Sequence, residues 1–67
     1  MYPNLRAEMA RKGLTALEFA KLLDMPYNSL TNKLRGDRPF TYKETLRIKE
    51  ALGVDVPLEI LFSEEAV

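Results

Sequence analysis

The chain contains neither cysteine nor histidine. That removes disulfides, thiolate or imidazole zinc sites, and the side chains that most often serve as base or nucleophile near pH 7. The absence of cysteine fits a reducing compartment, and a cytoplasmic protein is expected. No apolar run approaches a membrane span and no basic-then-apolar leader opens the sequence, so no membrane association is expected. Glycine-rich phosphate loops are missing, and the carboxylates are scattered along helical patterns. Neither an enzyme nor a bound cofactor or metal is expected. Period-two alternation long enough for a strand is absent, as are repeats, linkers and low-complexity segments.

Net charge is also lacking, since ten Lys and Arg balance ten Asp and Glu. Their distribution is uneven. Every basic residue lies between Arg6 and Lys49, where six acids accompany them, leaving residues 1–53 near +4. Asp55, Glu59, Glu64 and Glu65 give the remainder about −4. Between residues 33 and 43, Lys33, Arg35, Arg38 and Lys43 face a single acid, Asp37.

What is present is a single domain over residues 1–67, with 46% hydrophobic residues and enough apolar material for a small core. A chain this short buries only roughly 60% of its unfolded surface, so modest stability is expected. Residues 4–12 place Leu5, Met9 and Lys12 on one helical side, with Asn4 as N-cap and Gly13 suited to a left-handed C-terminal cap. Thr15 with Glu18 forms a capping box that opens a second helix, Ala16 to about Leu23, whose apolar side holds Leu17, Phe19, Ala20 and Leu23. Asp24-Met25-Pro26 breaks it, because proline disfavours a helical residue before it and pre-sets the next first turn. A third helix runs from about Tyr27 to Leu34, buries Leu30 and Leu34, and stops at Arg35-Gly36. Phe40 folds back into the core. Thr41 with Glu44 opens a fourth helix over residues 42–52, with Thr45, Leu46, Ile48, Ala51 and Leu52 as its apolar positions and Gly53 as its end. Asp55 caps a short fifth helix, Pro57 to Phe62, and residues 63–67 form an acidic tail that frays. The expected fold class is all-α, with five closely joined helices.

Two short amphipathic helices joined by a tight break describe a helix-turn-helix. The order of elements from Leu5 to Phe62 resembles the lambda-repressor-like, or Cro/Xre-type, DNA-binding domain of phage and bacterial regulators. In that family a helix-turn-helix forms the second and third of five helices. Ala20 takes the small-residue position where the two helices touch, and Leu23 and Leu30 flank the turn. The run LRGDRPFT is similar to the family's basic loop. Two positions depart from the pattern. Asp24 stands where many relatives have glycine, and aspartate tolerates the left-handed conformation better than most residues. Ala16 stands where many have a glutamine that touches a phosphate.

The resemblance implies a sequence-specific regulator of transcription, such as a phage or prophage repressor, that lays its third helix in the major groove of double-stranded DNA. By resemblance, Tyr27, Asn28, Thr31 and Asn32 contact bases. The residue chemistry supports this: asparagine can donate and accept together and so pair with adenine N6 and N7, and Thr31 can meet a thymine methyl. Ser29, Lys33, Arg35, Arg38 and Lys43 are candidates for phosphates, where charge gives affinity but no sequence information. The start of the fourth helix, Thr41-Tyr42-Lys43, can also aim amides at a phosphate. Arg6, Arg11 and Lys12 read as solvated surface.

Regulators of this type usually pair on a two-fold operator. The segment VPLEILF has more apolar residues than one short helix can bury. Leu61 and Phe62 are expected to dock inside, leaving Leu58 or Ile60 for a second copy in a homodimer. Closure of the core by all four is the other possibility. No separate ligand domain fits in 67 residues, so no small-molecule ligand is expected. A rival function is a helix-turn-helix used for protein contact, as in an antitoxin or a phage modulator protein; zero net charge and the acidic tail favour it.

Overall fold

Local chemistry sets where the helices begin. In the computed structural model, which describes residues 1–64, five helices follow in the order α1 Pro3–Arg11, α2 Ala16–Leu23, α3 Tyr27–Leu34, α4 Tyr42–Leu52 and α5 Leu58–Leu61. No strand occurs among the described residues. Both expected capping boxes form. Thr15 Oγ1 accepts from the Glu18 amide at 3.1 Å while Glu18 Oε1 accepts from the Thr15 amide at 3.0 Å. Thr41 and Glu44 make the same reciprocal pair at 3.1 and 2.8 Å. Each box satisfies two of the donors that a helix start leaves without intrahelical partners.

Three successive helix ends share one closure. The amides of Leu14, Met25 and Asp37 reach back five residues to the carbonyls of Met9, Ala20 and Asn32, all at 2.9 Å. Each closure turns on a left-handed residue: Gly13, Asp24 and Gly36 respectively. Asp24 therefore does what its short polar side chain allows, at φ 55°.

Leu5, Met9, Phe19, Ala20, Leu23, Leu30, Leu34, Ile48, Leu52 and Leu61 form the buried core. Helix α2 lies between α3 and α4, and α5 bridges α1 and α4. Beside this core Tyr2, Phe40 and Phe62 pack edge-to-face, with ring centroids 5.3 to 6.0 Å apart. Phe40 thus returns to the body as expected, and Leu61 and Phe62 dock inward while Ile60 stays 42% exposed.

Several expectations need correction. Leu17 is exposed, because the buried stripe of α2 is Phe19, Ala20 and Leu23 with Ala16 packed beside them, and Leu17 lies about 110° round from its centre. Leu46 and Ala51 are likewise outside the stripe that Ile48 and Leu52 define. On α1 the third buried member is Glu8, not Lys12, and its carboxylate is held by Arg11 at 2.9 Å. Asn4 is not the N-cap: α1 starts at Pro3, which puts Tyr2 two residues earlier at the cap position, and Asn4 Nδ2 donates to the Ile60 carbonyl at 2.9 Å. Asp55 does not cap α5, which begins after Pro57 and is shorter than expected. Of the tail 63–67, residues 65–67 lie outside the described residues.

Candidate nucleic-acid interface

Helix α3 has two unlike sides. Leu30 and Leu34, a turn apart, are buried and fix the helix against α2. The other side forms, with Ala16 at the start of α2 and Arg6 from α1, an open groove of about 460 Å³. Its lining brings together all four expected base contacts, Tyr27, Asn28, Thr31 and Asn32, and adds Leu34 and Arg35. Tyr27 and Asn28 are exposed, whereas Thr31 and Asn32 are half-buried.

The hydrogen bonds within this face restrict what it can offer. Thr31 Oγ1 donates to the Asn28 carbonyl at 3.1 Å, so its hydroxyl proton is occupied and its methyl is fixed in direction. Asn32 Oδ1 accepts from Arg35 Nη2 at 2.5 Å. Arg35 Nε donates in turn to Asp37 Oδ2 at 3.2 Å. Asp37 is placed there by the closure of α3, in which its own amide bonds the Asn32 carbonyl through left-handed Gly36.

The expected phosphate contacts divide into three groups. Arg35 lines the groove, although Asp37 partly neutralises it. Arg38 and Lys43 are exposed and pair with no acid among the described residues. Lys33 has a different partner: its amine meets Glu44 Oε2 at 2.5 Å, with only 15% of its side chain exposed. Its charge ties α3 to α4 and lies off the groove. Ser29 is half-buried and also lies off the groove lining. At the start of α4, Thr41 and Glu44 satisfy two of the amides themselves and set a carboxylate there, which disfavours a phosphate.

Glu44 thus serves two elements. Burial pushes its carboxyl up, but the hydrogen bond from Lys33 and the Thr41 amide outweigh that and hold it below the ordinary value of 4.5. The Glu18 carboxyl is lowered as well, first by the Thr15 amide and then by the Thr15 hydroxyl. Both carboxylates are therefore charged at neutral pH.

No family model, curated protein or solved structure matches this chain significantly.

Two arginines make contacts that the sequence does not declare. Arg6, read as solvated surface, donates from Nη2 to the Leu34 carbonyl at 3.2 Å and from Nε to the Met1 carbonyl at 3.0 Å. Arg47 on α4 donates to the Leu23 carbonyl at 2.6 Å. Each places a cation on the C-terminal carbonyls of a helix far away in sequence, where the helix dipole favours positive charge. No periodic signal marks either contact. Each of these helices already has a lysine in its last turn, Lys21 or Lys33, so nothing local in the sequence calls for an arginine from elsewhere.

No group of three or more metal-ligating side chains occurs among the described residues, and no described helix is long and apolar enough to cross a membrane.

Proposed function

We propose that the protein is a sequence-specific binder of double-stranded DNA, with α2 and α3 acting as a helix-turn-helix of the lambda-repressor-like, Cro/Xre type. Helix α3 enters the major groove, which accepts one α-helix and displays a distinct donor and acceptor pattern for each base pair. The observation that carries this is the grouping of Tyr27, Asn28, Thr31 and Asn32 with Arg6 and Arg35 along one open groove at the start of α2. Arg38 and Lys43 supply phosphate contacts at the flank. The role is that of a regulator of transcription, a binding protein rather than a catalyst. Exposed Ile60, with Leu58, offers a site for a second copy on a two-fold operator.

The test is a fluorescence-anisotropy titration against duplexes selected from a random pool. A selected duplex should bind far more tightly than random DNA, and binding should weaken steeply with salt. Failure to bind any duplex at low salt refutes the proposal.

A second function, a helix-turn-helix used to grip another protein, as in an antitoxin or phage modulator, draws support from two observations. Lys33 and Arg35 are each paired with an acid within the fold, and the chain has no net charge. The same titration separates the two.

A further inference from the structure

The chain of bonds Asp37–Arg35–Asn32 fixes which way Asn32 presents its amide. Arg35 donates from Nη2 to Asn32 Oδ1, and Asp37 Oδ2 lies 3.2 Å from both Nε and Nη2 of the same guanidinium. The Asn32 carbonyl therefore faces a cation, and its NH₂ is the group left for a ligand. Arg35 carries donors only. Side by side, the two residues offer N–H groups, and their one acceptor, Asn32 Oδ1, already takes a bond from the guanidinium and keeps a single lone pair beside its positive charge.

An asparagine reads adenine by accepting from N6 while donating to N7. Here an adenine N6 donor would have to share Oδ1 with Arg35 and would meet the guanidinium charge. Guanine presents acceptors at both positions, N7 and O6, and each is attracted by the same charge. On the reading that α3 lies in the major groove, we infer that Asn32 and Arg35 form one donor unit whose partner is guanine, not the adenine expected of asparagine alone.

The spacing of the unit is set by backbone. Gly36 at φ 85° lets the Asp37 amide reach the Asn32 carbonyl, which carries the Asp37 carboxylate to the side of Arg35. A side chain at Gly36 would be strained there and would also meet Met1 Cε at 3.1 Å. Asp37 puts a negative charge beside a DNA-facing arginine, which costs general affinity. In return it holds a fixed donor array.

The test is selection of duplexes from a random pool by three proteins: wild type, Asn32→Ala and Arg35→Met. Arg35 and Asp37 are mostly solvent-exposed, and Arg35→Met keeps the aliphatic stem, so folding should be unaffected. The base pair whose preference disappears in Asn32→Ala identifies the Asn32 position. Wild type should choose guanine there, and 7-deazaguanine at that position should weaken binding by roughly ten-fold, the loss of one acceptor. In Arg35→Met the freed Oδ1 should turn the preference toward adenine, whatever the variant loses in overall affinity. Adenine chosen by wild type, no position relaxed by Asn32→Ala, or a preference unchanged in Arg35→Met would each overturn the inference while leaving DNA binding intact. Absence of any selected duplex would overturn the DNA-binding function itself.

Discussion

Replacing Glu44 by glutamine separates the two tasks of that carboxylate. Glutamine can still accept from the Thr41 amide, as it does in a capping box, but it cannot neutralise Lys33. The lysine amine would remain beside it with 15% of its side chain exposed. A fully exposed pair is worth ~0–1 kcal/mol, and breaking a fully buried one costs ~3–5 kcal/mol. At 15% and 20% exposure this pair lies between those limits, and its screening by solvent puts the loss at ~1–2 kcal/mol. For a domain of this size that lowers Tm by roughly 5–15 °C. Urea denaturation of wild type, Glu44→Gln, Lys33→Met and the double variant isolates the pair, with an expected coupling of ~1 kcal/mol. The pH dependence has a definite sign. A carboxyl whose folded value is lowered gives stability that is complete above its unfolded value and fades as pH falls through the folded one. Wild type and Glu44→Gln should therefore differ most at pH 7 and converge as the pH falls below 4.5. Additive single variants, or a stability gap indifferent to pH, would refute the assignment of Lys33 to Glu44.

Asn32→Ala should weaken binding to a selected duplex by ~1–3 kcal/mol while barely altering binding to random DNA, measured by anisotropy at fixed salt. Arg38→Ala should weaken both alike and reduce the slope of log K against log salt by about one unit; an unchanged slope would leave Arg38 as solvated surface. Leu30→Ala, at a fully buried position, should cost ~2–5 kcal/mol in denaturant unfolding. Leu17→Ala, at 51% exposure, should stay within ~0.5 kcal/mol.

The parts of the fold that were legible in the sequence are those decided within one helical turn. Thr15 with Glu18, Thr41 with Glu44, the left-handed positions Gly13 and Asp24, and the stop at Gly36 depend on neighbours a few residues away, and all of them form. The bounds of α3 follow, because Pro26 and Gly36 punctuate it on both sides. The exposure of Leu17 and Leu46 is not legible in this way. A short helix carrying leucine on more than one side does not declare which side its neighbours will cover, and here Phe19 and Ile48 decide it. The groove residues of α3 could be named because they are simply the polar side of an amphipathic helix. Their internal wiring could not. Lys33 finds Glu44 eleven residues on, and Arg6 finds Leu34 twenty-eight residues on, through long side chains whose reach is set only once the helices have packed.

The arginine contacts at Leu23 and Leu34 bear on whether α2 and α3 could be transplanted. The Leu23 carbonyl at the end of α2 takes a side chain from α4, and the Leu34 carbonyl at the end of α3 takes one from α1. A graft of residues 15–35 into another scaffold would carry its own start signals and its left-handed turn at Asp24. The backbone closure of α2 at Met25 would travel with it, but that of α3, made through Gly36 and Asp37, would stay behind, and the Leu23 and Leu34 carbonyls would each need a guanidinium from the host. The segment that bears the chemistry is thus held in place by the helices on either side of it in the chain.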